Sequence, residues 1–200
     1  GTGSAGKVPH GLSAAPEMII TKRLNGTGDW YTYHKDLNSG TNPAYNFIKL
    51  NSTAAEIVNA SSGGSIWNST SPSSTVINVG TTLSGSTSDS YIAYCFHSVS
   101  GYSKIGSYSG TGTTNSITGL GFQPDWLMIK RATGGSSNGW VICDSVRGVG
   151  VNLRADTDGA EADESAYTTS FDSDGFTLAQ AGGNTNVSGS TYIYMAFKIN

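Results

Sequence analysis

The chain has 200 residues, of which only 12% are charged, and its formal net charge is −3. That balance gives no electrostatic footprint for nucleic acid, and no apolar run approaches the roughly 18 residues a membrane-spanning helix needs. Gly is abundant at 27, yet 10 Tyr, 6 Phe and 4 Trp supply the large apolar groups that disordered chains lack, so the sequence predicts a folded protein.

In chain order, GTGSAGKVPHG at 1–11 has no initiator Met, no charged start and no hydrophobic stretch. It does not read as a signal peptide, and the sequence is expected to be a processed form or an excerpt of a longer one. GTGSAG at 1–6 fits G-x-G-x-x-G, but no strand signal precedes it and no helix signal follows, which argues against a dinucleotide site. Short β-branched or aromatic runs come next: EMIITKR at 17–23, DWYTYHK at 29–35, NFIKLN at 46–51, TVINVG at 75–80 and YIAYCFHSV at 91–99. Each is bounded by Gly, Asn, Ser or Pro, the signature of strands. In DWYTYHK, Trp30, Thr32 and His34 point to one face and Tyr31, Tyr33 and Lys35 to the other. GYSKIGSYS at 101–109 is a further strand, and GFQPDWLMIKR at 121–131 is apolar on consecutive positions, as in a strand covered on both faces near a sheet centre. No window of eleven or more residues carries a helical period.

Several of these runs occur twice. GLSAAPEMIITKRLNGTGDW at 11–30 returns as GLGFQPDWLMIKRATGGSSNGW at 119–140, keeping Pro16 and Pro124, Glu17 and Asp125, Lys22-Arg23 and Lys130-Arg131, and Trp30 and Trp140. GTG at 1–3 recurs at 110–112, TVINVGTTL at 75–83 is matched by TSFDSDGFTL at 169–178, and SDSYIAYCF at 88–96 by GSTYIYMAF at 189–197. The matches keep one order, so the sequence predicts two tandem copies, 1–107 and 108–200. The fold class expected is all-β: two jelly-roll-like β-sandwich repeats of about a hundred residues, or alternatively one continuous concanavalin-like sandwich. In this reading NGTGD and TGGSSNG are hairpin loops where Gly supplies positive φ. The two Trp anchor the returning strands, and the two Pro sit where a strand begins and a missing N–H costs nothing. GYSKIGSYS precedes the second GTG, whereas nothing precedes the first. Copy one is therefore expected to lack an edge strand, through truncation or because a neighbour donates one.

Candidate chemistry is sparse. GSSNG at 135–139 fits G-x-S-x-G, yet it lies in a predicted hairpin and Ser137 has no His in its own copy. His10, His34 and His97 match no metal spacing and read as isolated histidines. Cys95 and Cys143 sit in apolar strands and read as buried free thiols, with a bridge between the halves as the alternative. The acidic stretch RADTDGAEADE offers Asp156, Asp158, Glu161, Asp163 and Glu164 as hard oxygen ligands around Gly159, so Ca²⁺ is the one cofactor considered. Asp156, Asp158 and Glu161 are the metal candidates, although the spacing departs from an EF-hand loop, the matching region of copy one keeps only Glu56, and a solvated acidic loop is the plainer reading. N-x-Ser/Thr occurs at Asn25, Asn51, Asn59, Asn68 and Asn186, about as often as chance gives in so Ser/Thr-rich a chain.

The phrases APEMIITKR…DWYTYHK, LNSTAAE, YIAYCFHSVSGYSKIGSYSGTG, GFQPDWLMIKR, DSVRG, SFDSDGFTL and YIYMAFK together resemble tandem β-rich modules in tail-fibre-like and other virion proteins of marine bacteriophages. The likeness covers essentially the whole chain, and YIAYCF…GYSKIGSYSGTG is its most specific part. It implies a concanavalin-like, jelly-roll character and a virion or extracellular location. It also implies a non-enzymatic structural or adhesive role in a particle appendage, with homo-oligomeric or other virion partners and host attachment through a surface glycan. It transfers no catalytic residues. A carbohydrate-binding module is the alternative, with Tyr31, Tyr33 and Trp67 as glycan-binding candidates. An enzyme acting on glycans is disfavoured, because the carboxylates are unmatched between the copies and fall in turns. Neither nucleic acid nor membrane insertion is expected.

Overall fold

The computed structural model of the chain describes residues 1–58, 66–135, 138–163, 167–179 and 183–199. The protein is all-β, built from antiparallel sheets in sandwich-like arrangements. Its contacts divide it into two compact units: Gly1–Leu50 with Glu56–His97, and Asn51–Ala55 with Ser98–Asn200.

In unit 1, β1 (Gly6–Pro9) pairs with β6 (Val76–Val79) as a two-stranded sheet. The larger sheet contains β2 (Met18–Arg23), β3 (Tyr31–His34), β4 (Asn46–Lys49), β5 (Ile57–Val58) and β7 (Tyr91–Phe96), in the order β5-β4-β3-β2-β7. Ile19, Tyr33 and Phe47 from the larger sheet meet Ile77 and Val79 from the smaller one, with Trp67 and Leu83 completing the core. A single helical turn, Thr81–Ser84, follows β6.

In unit 2, the larger sheet contains β8 (Ser103–Ser109), β10 (Trp126–Arg131), β11 (Val141–Asp144), β12 (Val151–Leu153), β13 (Ala162–Asp163) and β16 (Thr191–Phe197), in the order β13-β12-β11-β10-β16-β8. The smaller sheet is β14 (Thr168–Asp172), β15 (Gly175–Leu178) and β9 (Asn115–Thr118). Leu127, Ile129, Cys143, Tyr192 and Tyr194 pack against Ile117, Phe176 and Leu178. As its unbroken apolar run predicts, β10 is central, with Leu127 through Arg131 all buried.

Registers in the two units correspond. Met18 stands opposite His34 and Phe96, and Trp126 opposite Asp144 and Phe197. Val8 faces Ile77 as Ile117 faces Phe176, and Asn46 faces Val58 as Val151 faces Asp163. Two strands of unit 2 have no counterpart among the described residues of unit 1, β14 in the smaller sheet and β8 in the larger. β8 continues the larger sheet of unit 2 beyond β16, whereas among the described residues nothing pairs with β7 beyond β2. Pairing of β8 with β16 also puts the boundary at His97/Ser98 rather than at the expected 107/108, because Ser103 through Ser109 are hydrogen-bonded into unit 2.

The recurrent GTG has a local cause. Gly3 and Gly112 adopt φ of 83° and 76°, the left-handed region where Gly is favoured. A Cβ on Gly1 would stand 2.2 Å from the Ser86 carbonyl oxygen, and one on Gly110 would stand 2.2 Å from that of Val187.

Candidate functional site

The recurrent Lys-Arg pair closes the Gly-rich hairpin that follows it. Lys22 Nζ donates to the Gly28 carbonyl at 3.0 Å and lies 6.0 Å from the Trp30 ring centroid. Arg23 donates to Asn25 Oδ1 and pairs with Asp89 at 2.6 Å. In unit 2, Lys130 is fully buried and Nζ donates to the carbonyls of Asn138 at 2.6 Å, Thr53 at 3.1 Å and Arg131 at 3.3 Å. Burial pushes its pKa down from 10.5 to about 8; the Asp156 carboxylate opposes that fall and the Arg131 charge adds to it. Arg131 donates to the Thr133 carbonyl at 3.1 Å and also to that of Gly134. A Cβ on Gly26 or on Gly135 would stand 2.8 Å from the Arg23 or Arg131 guanidinium respectively. A side chain at either position would therefore displace the guanidinium that crosses it, a contact the sequence, which suggested only a turn, did not indicate. Of the two tryptophans, Trp140 is buried as expected, whereas Trp30 is half-buried.

The acidic stretch is used locally. Asp156 Oδ1 accepts the Trp140 N–H at 2.7 Å, which fixes the start of β11, while Asp158 and Glu161 are exposed. Among the described residues no three His, Cys, Asp or Glu side chains converge on one point, so the structure does not gather Asp156, Asp158 and Glu161 into a metal site. Glu164 lies outside the described residues. Glu56 accepts the Asn38 N–H at 2.8 Å and the Asn46 amide at 3.2 Å.

The other candidates also fall on structural positions. His34 is buried, and its Nδ1 accepts the Asp36 N–H at 3.1 Å; at the corresponding position Asp144 Oδ1 accepts the Val146 and Arg147 N–H groups. His10 bridges the Leu12 N–H and the Ser73 carbonyl. Cys95 and Cys143 are both free thiols, so the alternative of a bridge between the halves is not realised. Burial raises the pKa of Cys143 to about 11. Asn186, one of the N-x-Ser/Thr positions, is buried and holds the GTG loop through the Thr111 N–H and the Thr113 and Ala179 carbonyls. Ser137 and Asn59 lie outside the described residues.

The glycan candidates divide. Trp67 is 1% and Tyr33 is 3% exposed, and their rings meet edge to face at 5.9 Å inside the core. Neither has a ring face for a sugar. Tyr31 is half-buried against Phe47 and lines a shallow groove of about 170 Å³ with Asp29, Arg23, Thr27 and Tyr91. Burial raises the Tyr31 pKa, with Asp29 adding to the rise and Lys49 opposing it. Alternation alone gave the side of β3 on which Tyr33 lies, but not that the side is covered.

A second groove, which the sequence did not indicate, runs beside β7. It measures about 250 Å³ and is lined chiefly by Val8, Ile77, Val79, Leu83, Tyr91 and Ala93. It is mainly apolar and borders the strand that ends the larger sheet of unit 1.

Fold and site together define an all-β protein of two sandwich-like units whose polar side chains mostly fasten loops. The chain belongs to the family described as Domain of unknown function (DUF7483), whose model matches residues 1–200. No curated protein and no solved structure matches it.

Proposed function

We propose that this chain is a non-enzymatic structural and adhesive segment of a phage particle, in a tail fibre or another appendage. The supporting observation is the way both units use their polar side chains. Lys130 and Arg131 grip hairpin carbonyls, Asp156 and Asn186 grip loop N–H groups, and the ring of His34 closes a turn. Loops held this way give rigid building blocks with low surface charge, which suits a rod exposed to changing solvent. The resemblance of the sequence to virion modules points the same way. Negative-stain imaging of the purified chain, with its mass from light scattering and antibody labelling of phage particles, tests the reading. Rods, trimers or labelled particles support it; a strict monomer absent from particles overturns it.

The Tyr31 groove favours a second reading, a carbohydrate-binding module, because it combines an aromatic edge with Asp29, Arg23 and Thr27. A glycan screen with wild type and Tyr31→Ala separates the two: sugar binding lost in the variant supports the module, and no binding by wild type removes it.

A further inference from the structure

Asn-Gly occurs twice in the chain, at 25–26 and at 138–139. In this dipeptide the main chain can attack the preceding side chain, because Gly has no Cβ to keep its own nitrogen from the Asn carbonyl carbon. Asn25 and Gly26 are both exposed, in the hairpin that joins β2 to β3. The Asn25 amide is held at both ends. Its Oδ1 accepts the Ser90 N–H at 3.1 Å and the Arg23 Nε–H at 3.4 Å, and its Nδ2 donates to the Ser88 carbonyl at 2.6 Å. Two donors on one carbonyl oxygen, one of them charged, stabilise negative charge that develops on that oxygen. The Arg23 guanidinium also lies where a Gly26 side chain would be, with Nε 2.8 Å and Cζ 2.9 Å from that Cβ position. Asp89 fixes it there at 2.6 Å. A cation so close favours loss of the Gly26 amide proton, and Asp89 offsets part of that effect.

At the second pair the Asn138 amide is held in a similar way, donating to the Gly183 carbonyl at 2.8 Å and accepting from Arg131 at 2.9 Å. The difference lies at the glycine. Gly139 is buried, and Arg154 Nη1 and the Asp156 carboxylate each stand 2.8 Å from its Cβ position, so the two charges oppose one another. Asp156 also clamps the next peptide by accepting the Trp140 N–H at 2.7 Å. The nitrogen that would attack is exposed beside a cation in unit 1 and enclosed between opposite charges in unit 2.

We propose that Asn25-Gly26 is a site of self-modification, at which the fold promotes conversion of the side-chain amide to a carboxylate. The Gly26 nitrogen loses its proton to solvent and bonds to Asn25 Cγ, and Oδ1 carries the resulting negative charge toward Ser90 and Arg23. The Cγ–Nδ2 bond then breaks, and Nδ2 takes a proton and leaves as ammonia. The cyclic imide that remains takes up a water molecule, which opens either of its carbonyls and leaves Asp or isoaspartate at position 25. Water is consumed and ammonia released, and nothing is oxidised or reduced. The product changes how the hairpin is anchored. In the Asp form an oxygen replaces Nδ2 opposite the Ser88 carbonyl, so a hydrogen bond becomes a repulsion between two acceptors. The Ser90 N–H and Arg23 keep their acceptor, while the loop loses its hold on Ser88. The inference rests on the contacts of Asn25 and Gly26, independently of the virion and glycan readings, and each can fail alone.

The test incubates the full chain at neutral pH and follows each Asn by peptide mass spectrometry, with an isoaspartyl methyltransferase assay for isoaspartate. The controls are the same chain unfolded in guanidinium chloride and a synthetic peptide of residues 20–30, ITKRLNGTGDW. Asn25 should convert about tenfold faster in the folded chain than in either control, a modest share of what oriented donors supply in an enclosed site. Asn138 should convert more slowly folded than unfolded. Arg23→Gln should remove most of the gain at Asn25 and leave the rate in denaturant unchanged. If circular dichroism shows that this variant does not fold, the folded and unfolded wild type decide between them. Conversion of Asn25 no faster in the folded chain than in the controls overturns the proposal, because the same bonds would then be locking the amide. An unchanged rate in folded Arg23→Gln, or Asn138 converting ahead of Asn25 in the folded chain, also overturns it.

Discussion

Replacing Lys130 by Met keeps most of the volume of the side chain and removes the ammonium that holds Asn138, Thr53 and Arg131. A hydrogen bond from a charged donor contributes about 1.5–3 kcal/mol, so three amount to roughly 5–9 kcal/mol. Desolvation works against them, and the fall in pKa from 10.5 to about 8 corresponds to an offset of about 3 kcal/mol. The net loss expected for Lys130→Met is therefore roughly 2–6 kcal/mol, nearer the lower end because the bond to Arg131 is long at 3.3 Å. The pH dependence has a definite sign. Between pH 8 and 10.5 the unfolded chain keeps a proton that folded Lys130 has lost, so this contribution is complete above 10.5 and is lost as pH falls through 8. Wild type should gain up to about 3 kcal/mol over the Met variant across that window. Cys143, raised from 9.0 to about 11, acts in the opposite direction but is common to both proteins and cancels in the difference. Urea denaturation of both proteins at a series of pH values measures this. A difference below about 0.5 kcal/mol that stays flat with pH would refute the account of Lys130 as a clamp.

Other outcomes follow from particular contacts. Tyr108→Ala should destabilise unit 2 by about 3–5 kcal/mol, through the lost ring and the cavity it leaves; thermal melts check this, and a change under about 1 kcal/mol would show that the core does not depend on β8. Asn186→Ala removes the partner of the Thr111 N–H and of the Ala179 and Thr113 carbonyls. It should cost about 2–4 kcal/mol by denaturant titration, with the fastest gain in hydrogen exchange at 110–113. EDTA should leave the melting temperature unchanged, because Asp156 is engaged by the Trp140 N–H while Asp158 and Glu161 are exposed. A fall of several degrees, reversed by Ca²⁺, would place a cation in that loop.

The positions of β2, β3, β4, β6, β7, β8 and β10, and the central place of β10, were legible from the sequence, because β-branched and aromatic runs between Gly, Asn and Pro favour an extended backbone, whereas the short β1, β5, β9, β12 and β13 carry no such run. The paired Lys-Arg, GTG and Trp positions marked equivalent sites but not their work: that Arg23 and Arg131 cross Gly26 and Gly135 depends on side-chain paths through space, which composition does not encode. The candidate residues fared in the same way. Tyr31, Tyr33 and Trp67 are equally aromatic in the sequence, and only burial shows that Tyr33 and Trp67 belong to the core. Asp156, Asp158 and Glu161 look alike as ligands, and only the fold turns Asp156 inward to the Trp140 N–H.

By itself the sequence determined that the chain is all-β and where strands such as β2, β3, β7, β8 and β10 lie. Tertiary structure decided how those strands pair. Pairing partners far apart in sequence, β8 with β16 and, among the described residues, β7 with β2, settle which backbone groups are bonded within each sheet. They also determine that Tyr108 fills an apolar space in unit 2. Local preference fixes an extended backbone, but the hydrogen-bond partners of that backbone come only from long-range pairing.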